Sequence, residues 1–165
     1  MKKLIGVSGS NRGDKHLNLK ILKLAEEVGS LIAEKDAVLV CGGMAGIMEA
    51  AARGAKKAGG LTLGILPRGK DKANKYIDIA IPTHLGYSRN YLLVNAVDSL
   101  IAICGRWGTL NEITFSLIQG KPTIILVGTS GVADLLGGID LGIFERKPVF
   151  AKTPEEAVRL AFNAI

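Results

Sequence analysis

The stretch Ser99-Leu-Ile-Ala-Ile-Cys-Gly-Arg-Trp-Gly-Thr-Leu-Asn-Glu112 constrains the fold more than any other part of the chain. Residues 99–103 form an apolar run too continuous for a strand with one wet face, so they predict a strand buried on both faces of a parallel sheet. Gly105 and Gly108 then turn the chain sharply and let a ligand approach the backbone. A helix is expected over residues 110–119, with Thr109 as its N-cap. Its first amides and the positive end of its dipole face the turn, which attracts phosphate. Thr109-Leu110-Asn111-Glu112 also fits the S/T-x-x-E capping box, in which the Glu112 carboxylate reaches back to the N-cap amide. If Glu112 only caps, Glu112→Gln costs little; otherwise it is a chemical group of the site.

The order strand, glycine turn, helix recurs along the chain. Residues 4–8 predict a first strand, followed by the small-residue turn Ser8-Gly9-Ser10-Asn11 and a mobile basic loop over residues 12–15. Leu19, Leu22, Leu24, Ala25, Val28, Leu31 and Ile32 recur at helical spacing within residues 18–34. Residues 37–41 read as a second strand. Gly42-Gly43-Met44-Ala45-Gly46 then feeds a helix over residues 47–58, a second place for phosphate or ribose contact; its small residues Ala50, Ala51, Gly54 and Ala55 suit close packing on a sheet. Further strands are expected at residues 61–66, 77–81, 123–127 and 148–151, with an exposed basic loop near the site at 68–75.

A helix beginning near Tyr87 or Ser88 places Arg89 in its first turn, where a cation opposes the helix dipole. That placement makes sense with an anion opposite; the alternative is an arginine pointing to water. Residues 129–142 read as flexible with at most a partial helix. Thr153-Pro154-Glu155-Glu156 combines an N-cap, a proline at the first helical position and a capping-box glutamate, opening a last helix to residue 165. Such alternation predicts a single α/β domain, a doubly wound, mostly parallel sheet with helices on both faces and its site at the carboxyl ends of the strands.

Composition narrows the function. With 48% hydrophobic residues, 21 glycines and 5% aromatics, the chain suits glycine-punctuated α/β structure. Its net charge of +6 permits an anionic partner. The basic residues are dispersed, however, and no nucleic-acid motif accompanies them, so a phosphate-sized ligand is favoured over nucleic acid. No apolar run approaches membrane-spanning length and Met1-Lys2-Lys3 leads straight into a strand, which points to the cytoplasm. Cys41 and Cys104 each end an apolar run before a glycine turn and read as buried reduced thiols, without metal-ligand spacing.

Three motifs, Gly42-Gly43-x-x-Gly46-Ile-Met-Glu-Ala, Ser88-Arg89-Asn90 and Gly105-x-x-Gly108-Thr109-x-x-Glu112, together resemble the LOG family of cytokinin-activating nucleoside 5'-monophosphate phosphoribohydrolases, long mislabelled lysine decarboxylases. The Met48-Glu49-Ala50 variant and the closing Thr153-Pro154-Glu155-Glu156-Ala157-Val158 look most like a shorter branch that also resembles the molybdenum cofactor carrier proteins. The resemblance implies that Glu112 and Arg89 are the catalytic residues. Ligand contacts fall to Ser8, Gly9 and Ser10 in the first turn, Gly42, Gly43 and Gly46 in the second, and Gly105, Arg106, Trp107, Gly108 and Thr109 in the third. Relative to the P-G-G-x-G-T-x-x-E pattern and its preceding Arg-Lys pair, Cys104 replaces proline, Arg106 the second glycine, Asn90 the lysine and Asn111 the usual first glutamate. Arg106 puts a large cation in the phosphate turn, where it either strengthens phosphate binding or occupies the substrate's place.

Two functions follow from the resemblance. One is N-glycosidic hydrolysis of a nucleoside monophosphate through an oxocarbenium-like state. The other is non-catalytic binding or carriage of a phosphorylated pterin of the molybdenum cofactor type. Neither requires a resident metal or other cofactor, and nothing in the sequence marks the Schiff-base lysine of a pyridoxal enzyme. A homodimer or homotetramer is implied, packed through the helices after Ser88 and Thr109, whose Tyr91-Leu-Leu-Val94 and Ile113-Thr-Phe-Ser-Leu-Ile118 carry more apolar surface than one helix face needs.

Overall fold

Every strand pairing in the computed structural model, which describes residues 1–165, is parallel. The strands are β1 (Leu4–Gly9), β2 (Val38–Cys41), β3 (Leu61–Leu66), β4 (Ile79–Pro82), β5 (Ser99–Ile103), β6 (Thr123–Leu126) and β7 (Val149–Ala151). They form one sheet in the order β4-β3-β2-β1-β5-β6-β7. The helices between them are α1 (Leu19–Glu34), α2 (Ile47–Lys57), α3 (Arg89–Ala96), α4 (Trp107–Ile118), α5 (Gly131–Gly137) and α6 (Pro154–Asn163). The doubly wound α/β sheet read from the sequence is the observed architecture, and the segment expected to be largely flexible contains α5.

Alternation along the strands builds two faces. Leu39, Cys41, Ile101, Ile103, Ile124 and Leu126 pack with α1, α2 and α6, whereas Val38, Val40 and Leu100 meet α3, and Ala102 and Ile125 meet α4 and α5. All five residues of β5 are buried, as a central parallel strand requires. The edge strand β4 instead exposes Ile79 and Ile81. No helix is long and apolar enough to cross a membrane.

Side-chain caps open two of the helices, the second of them at the Thr153 position read from the sequence. The Asn18 side chain accepts from the Ile21 amide at 3.0 Å at the start of α1, and Thr153 accepts from the Glu156 amide at 3.2 Å ahead of Pro154. Glu156 reaches the Lys152 amide at 2.8 Å, one residue before the amide a capping box uses. Of the small residues of α2, Ala50, Ala51 and Ala55 join the core with the strands as expected, whereas Gly54 serves a different neighbour. A β-carbon on Gly54 would lie 1.8 Å from the Glu26 carbonyl oxygen, and one on Gly29 would lie 1.9 Å from that of Ala51, so these glycines let α1 and α2 cross backbone to backbone. Gly54→Ala is expected to cost about 3 kcal/mol, the top of the range for overpacking, because the obstacle is backbone. Calorimetric unfolding of the variant measures this.

Candidate functional site

β1 and β5 lie side by side where the strand order reverses, and their carboxyl ends open into the crevice that doubly wound folds use for ligands. β1 runs into the loop that leads to α1 and β5 into the turn that leads to α4. Between them stand Arg89, the first residue of α3, and Glu112, on the second turn of α4, each only 6% exposed.

Glu112 does not cap its helix. α4 begins earlier than expected: Arg106 occupies the N-cap position, its carbonyl accepts the Leu110 amide at 2.9 Å, and Thr109 is the third helical residue, buried against Gly105. The reason is the turn itself. Cys104 at φ 57° and Gly105 at φ 98° reverse the chain within two left-handed residues, so the helix starts at once. Glu112 then lies too deep for a capping box. Its Oε1 accepts from Arg89 Nη1 at 2.6 Å and its Oε2 from the Ser8 hydroxyl. The anion that the position of Arg89 calls for is therefore within the chain.

Gly42 makes room for this pair, since a β-carbon there would lie 2.5 Å from Arg89 Nη2. Beneath it, burial pushes the Cys41 thiol up to about 11, opposed by the Gly43 amide and the Arg89 charge and reinforced by Glu112. Cys41 stays neutral and adds no second anion beside Arg89. Both cysteines are free and buried.

The first two turns pack against each other. Gly46, at φ 72°, would drive a β-carbon to 2.3 Å from the Ser10 carbonyl oxygen, and that oxygen accepts the Ile47 amide at 3.0 Å. The start of α2 is thus occupied by the loop after β1. The Gly43 carbonyl accepts from the Asn74 backbone at 2.8 Å and its side chain at 3.1 Å, so the 68–75 loop braces this turn. Gly9 allows close passage of Ile103 and Ile47.

The Ser10 hydroxyl donates to Asp14 Oδ2 at 2.5 Å and accepts the Gly105 amide at 3.0 Å. Asp14 is buried, accepts the His16 amide at 3.0 Å and faces Arg106 Nε at 3.4 Å. Burial raises its pKa, but the Ser10 hydroxyl, the His16 amide and the Arg106 guanidinium together outweigh it and hold the carboxyl below its usual 3.8. The expected basic loop is thus pinned by a buried acid, and Arg12 pairs with Glu49 at 3.1 Å. Sequence reasoning passed over Asp14 because nothing in an exposed-looking Arg-Gly-Asp-Lys run marks its carboxyl as buried.

Behind the turn, Thr129 accepts the Cys104 amide at 2.8 Å, and α5 donates the Val132 amide to Gly105 at 2.9 Å and the Ala133 amide to Cys104 at 3.0 Å. With those carbonyls held, the turn is rigid. The amides of Trp107, Gly108 and Thr109 have no acceptor within the chain, as the first turn of a helix leaves them. Two buried side-chain groups of the site also lack partners: Arg89 Nε and Asn90 Oδ1. Asn90 donates instead to Asn111 Oδ1 at 2.8 Å and the Gly108 carbonyl at 3.3 Å.

A cleft of about 120 Å³ lies here, lined by Ser10, Asn11, Met44, Met48, Tyr87, Arg89, Asn90, Arg106, Thr109 and Glu112 among others. Larger hollows exist, one of about 610 Å³ between α4 and residues 141–148, but it is a mainly apolar groove away from the turn. Chemistry rather than volume selects the smaller cleft, because the ion-paired Arg89 and Glu112 and the incompletely partnered Asn90 line it together with Gly108 and Thr109, whose amides are open. The structure brings Ser8, Gly9, Ser10, Gly42, Arg89, Arg106, Gly108, Thr109 and Glu112 together; Gly43 and Gly46 support the turns, and the Trp107 side chain projects outward.

The SLOG cluster4 family matches residues 2–157. The chain belongs to the SLOG cluster4 family. Among its relatives, an uncharacterized protein of Archaeoglobus fulgidus is 41% identical over 97% of this chain and 95% of its own. The molybdenum cofactor binding protein of Rippkaea orientalis superposes with a TM-score of 0.85 at 36% identity, covering 99% of this chain and 97% of its own. The molybdenum cofactor carrier protein of Chlamydomonas reinhardtii does so with 0.83 at 31%, covering 99% and 98%. A cytokinin riboside 5'-monophosphate phosphoribohydrolase of Mycobacterium tuberculosis is 34% identical over 98 residues, 57% of this chain and 52% of that one. The likeness read from the three motifs, to the LOG family and its carrier-like branch, is the likeness these SLOG relatives carry.

Proposed function

We propose that this SLOG cluster4 protein binds a phosphorylated small molecule of the nucleoside monophosphate or pterin phosphate class, with the phosphate on the amides of Trp107, Gly108 and Thr109. The observation that carries this reading is the set of three unfilled amides on a rigid turn beside a buried Arg89 whose Nε has no acceptor. A buried donor without a partner, such as Arg89 Nε, costs free energy that a bound oxyanion recovers, and the open helix-start amides add further donors. Arg106, at the mouth, is the second cation, and the phosphate competes with Asp14 for it.

Between the two ligand classes, a pterin phosphate such as the molybdenum cofactor is favoured, because the proteins named for that cofactor align over nearly the whole chain. The phosphoribohydrolase aligns over about half. The residues suit such a ligand: amides and Arg106 for its phosphate, and Asn90 Oδ1 for a ring N–H or a hydroxyl. The cofactor is then cargo, and the protein needs none of its own. Two buried free thiols fit a reducing compartment such as the cytoplasm. Calorimetric titration with AMP and with adenosine tests the binding: AMP is expected to bind at least about tenfold more tightly, on the scale of one charge-assisted contact. Equal affinities would overturn it.

A second reading, hydrolysis of the N-glycosidic bond, is favoured by the buried Glu112–Arg89 pair, which stands where the phosphoribohydrolase motif places its acid. With Arg89 on one oxygen and Ser8 on the other, Glu112 suits a fixed negative charge beside a developing oxocarbenium ion better than a proton acceptor.

We also propose a homodimer or homotetramer packed through α3 and α4, where Tyr91, Leu92 and Ile118 lie exposed. Light scattering at micromolar concentration is expected to give at least twice the 17.4 kDa chain mass; a monomer would contradict it.

A further inference from the structure

We infer that Trp107 and Tyr87 form the subsite for the planar ring of the phosphorylated ligand, with Asn90 accepting from it where the ring subsite meets the phosphate turn. This rests on the phosphate reading above. It adds the part of the ligand that a phosphate site alone does not select.

Three observations carry it. Trp107 is the one tryptophan of the chain and is 83% exposed, and Tyr87 is 82% exposed, although aromatic rings of this size are normally largely covered. They flank the open amides: Trp107 supplies one of them, and the Tyr87 ring lies over Gly108, where a β-carbon would stand 3.6 Å from Tyr87 Cε1. Between them is a second cleft of about 320 Å³, lined by Tyr87, Ser88, Trp107, Gly108, Asn111 and Phe115. It adjoins the phosphate cleft, because Tyr87 and Gly108 line both. A ligand with its phosphate on the amides therefore extends over Gly108 onto an aromatic wall, and a larger residue at position 108 would narrow that passage.

The third observation is independent of the aromatic rings. Asn90 is 1% exposed, lines the phosphate cleft and carries an Oδ1 with no donor in the chain, while its Nδ2 is held by Asn111 and the Gly108 carbonyl. The amide is locked in orientation and leaves an unused acceptor on a residue of the phosphate cleft that is bonded to Gly108 and Asn111 of the aromatic cleft. Purines bearing an amino group and pterins both carry ring-edge N–H donors; an inorganic anion does not. Aromatic faces on one side and one fixed acceptor on the other select a flat, donor-bearing heterocycle.

The sole tryptophan is the reporter for the test. Wild type, Trp107→Leu and Tyr87→Ala are titrated with ribose 5-phosphate and with the tighter-binding of AMP and neopterin monophosphate, by calorimetry and by tryptophan fluorescence in the proteins that keep Trp107. The ring-bearing ligand is expected to bind wild type roughly ten- to a hundredfold more tightly than ribose 5-phosphate and to quench the fluorescence, the scale of one aromatic stack. In Trp107→Leu that ratio is expected to fall towards one while ribose 5-phosphate still binds, and Tyr87→Ala is expected to lower the ratio in the same direction. A ratio unchanged in both variants overturns the ring subsite and leaves the phosphate reading standing. Failure of wild type to bind any of these probes overturns both. A Trp107→Leu protein that loses its oligomeric state by light scattering but keeps the ratio assigns Trp107 to an interface between copies and also overturns the subsite.

Discussion

Arg89→Met is expected to lower the unfolding free energy by about 3–5 kcal/mol, because it leaves the Glu112 carboxylate buried without its counter-ion. For a chain of this size that corresponds to a melting temperature lower by roughly 10 °C. The Ser8 hydroxyl alone cannot replace the guanidinium charge. The double variant Arg89→Met/Glu112→Leu removes the stranded charge and is expected to recover most of the loss, since a buried pair replaced by apolar residues of similar volume is often neutral. Differential scanning calorimetry of the wild type and both variants reads this directly. A single variant within about 1 kcal/mol of wild type would show that the pair is solvated in solution.

Glu112→Gln separates binding from hydrolysis. In a protein that hydrolyses nucleoside monophosphates, it is expected to slow base release by roughly a hundredfold or more, the cost of removing one electrostatic group aimed at a developing charge. The capping-box reading implied that glutamine would serve equally well for stability, and the structure replaces that expectation. Glutamine keeps a partner for Ser8 but leaves the Arg89 charge unopposed, so the variant is also expected to unfold at a lower temperature. Rates are therefore compared per folded molecule. Chromatographic detection of free base from AMP, run beside calorimetric binding, distinguishes the readings: wild type that binds ligand and releases no base is a binder alone.

Much of the fold was legible because each strand is punctuated by glycine or proline. Residues 99–103 announced a central strand by their unbroken apolar character, and Thr153-Pro154 announced α6. The start of α4 was misplaced because Thr109 is a good capping residue by type, whereas the actual start depends on Cys104 adopting a left-handed backbone, which β-carbon-bearing residues seldom do. The Glu112–Arg89 pair spans 23 residues and Ser8–Glu112 spans 104, so no local spacing connects them. Asp14 was hidden because its ionic partner Arg106 lies on a distant turn and its local contact with Ser10 leaves no mark in the sequence. The glycines were recognised as a group, but only the packing separates Gly42, which admits a guanidinium, from Gly54, which admits a helix.

The most direct measurement is an amide-resolved NMR titration of isotope-labelled protein with AMP. The largest shifts are expected on the Trp107, Gly108 and Thr109 amides and on the Arg89 Nε–H, saturating together with one affinity. Shifts confined to the cleft around Gly120 to Ile124, or to the groove beside residues 141–148, with Trp107 to Thr109 unmoved, would contradict it.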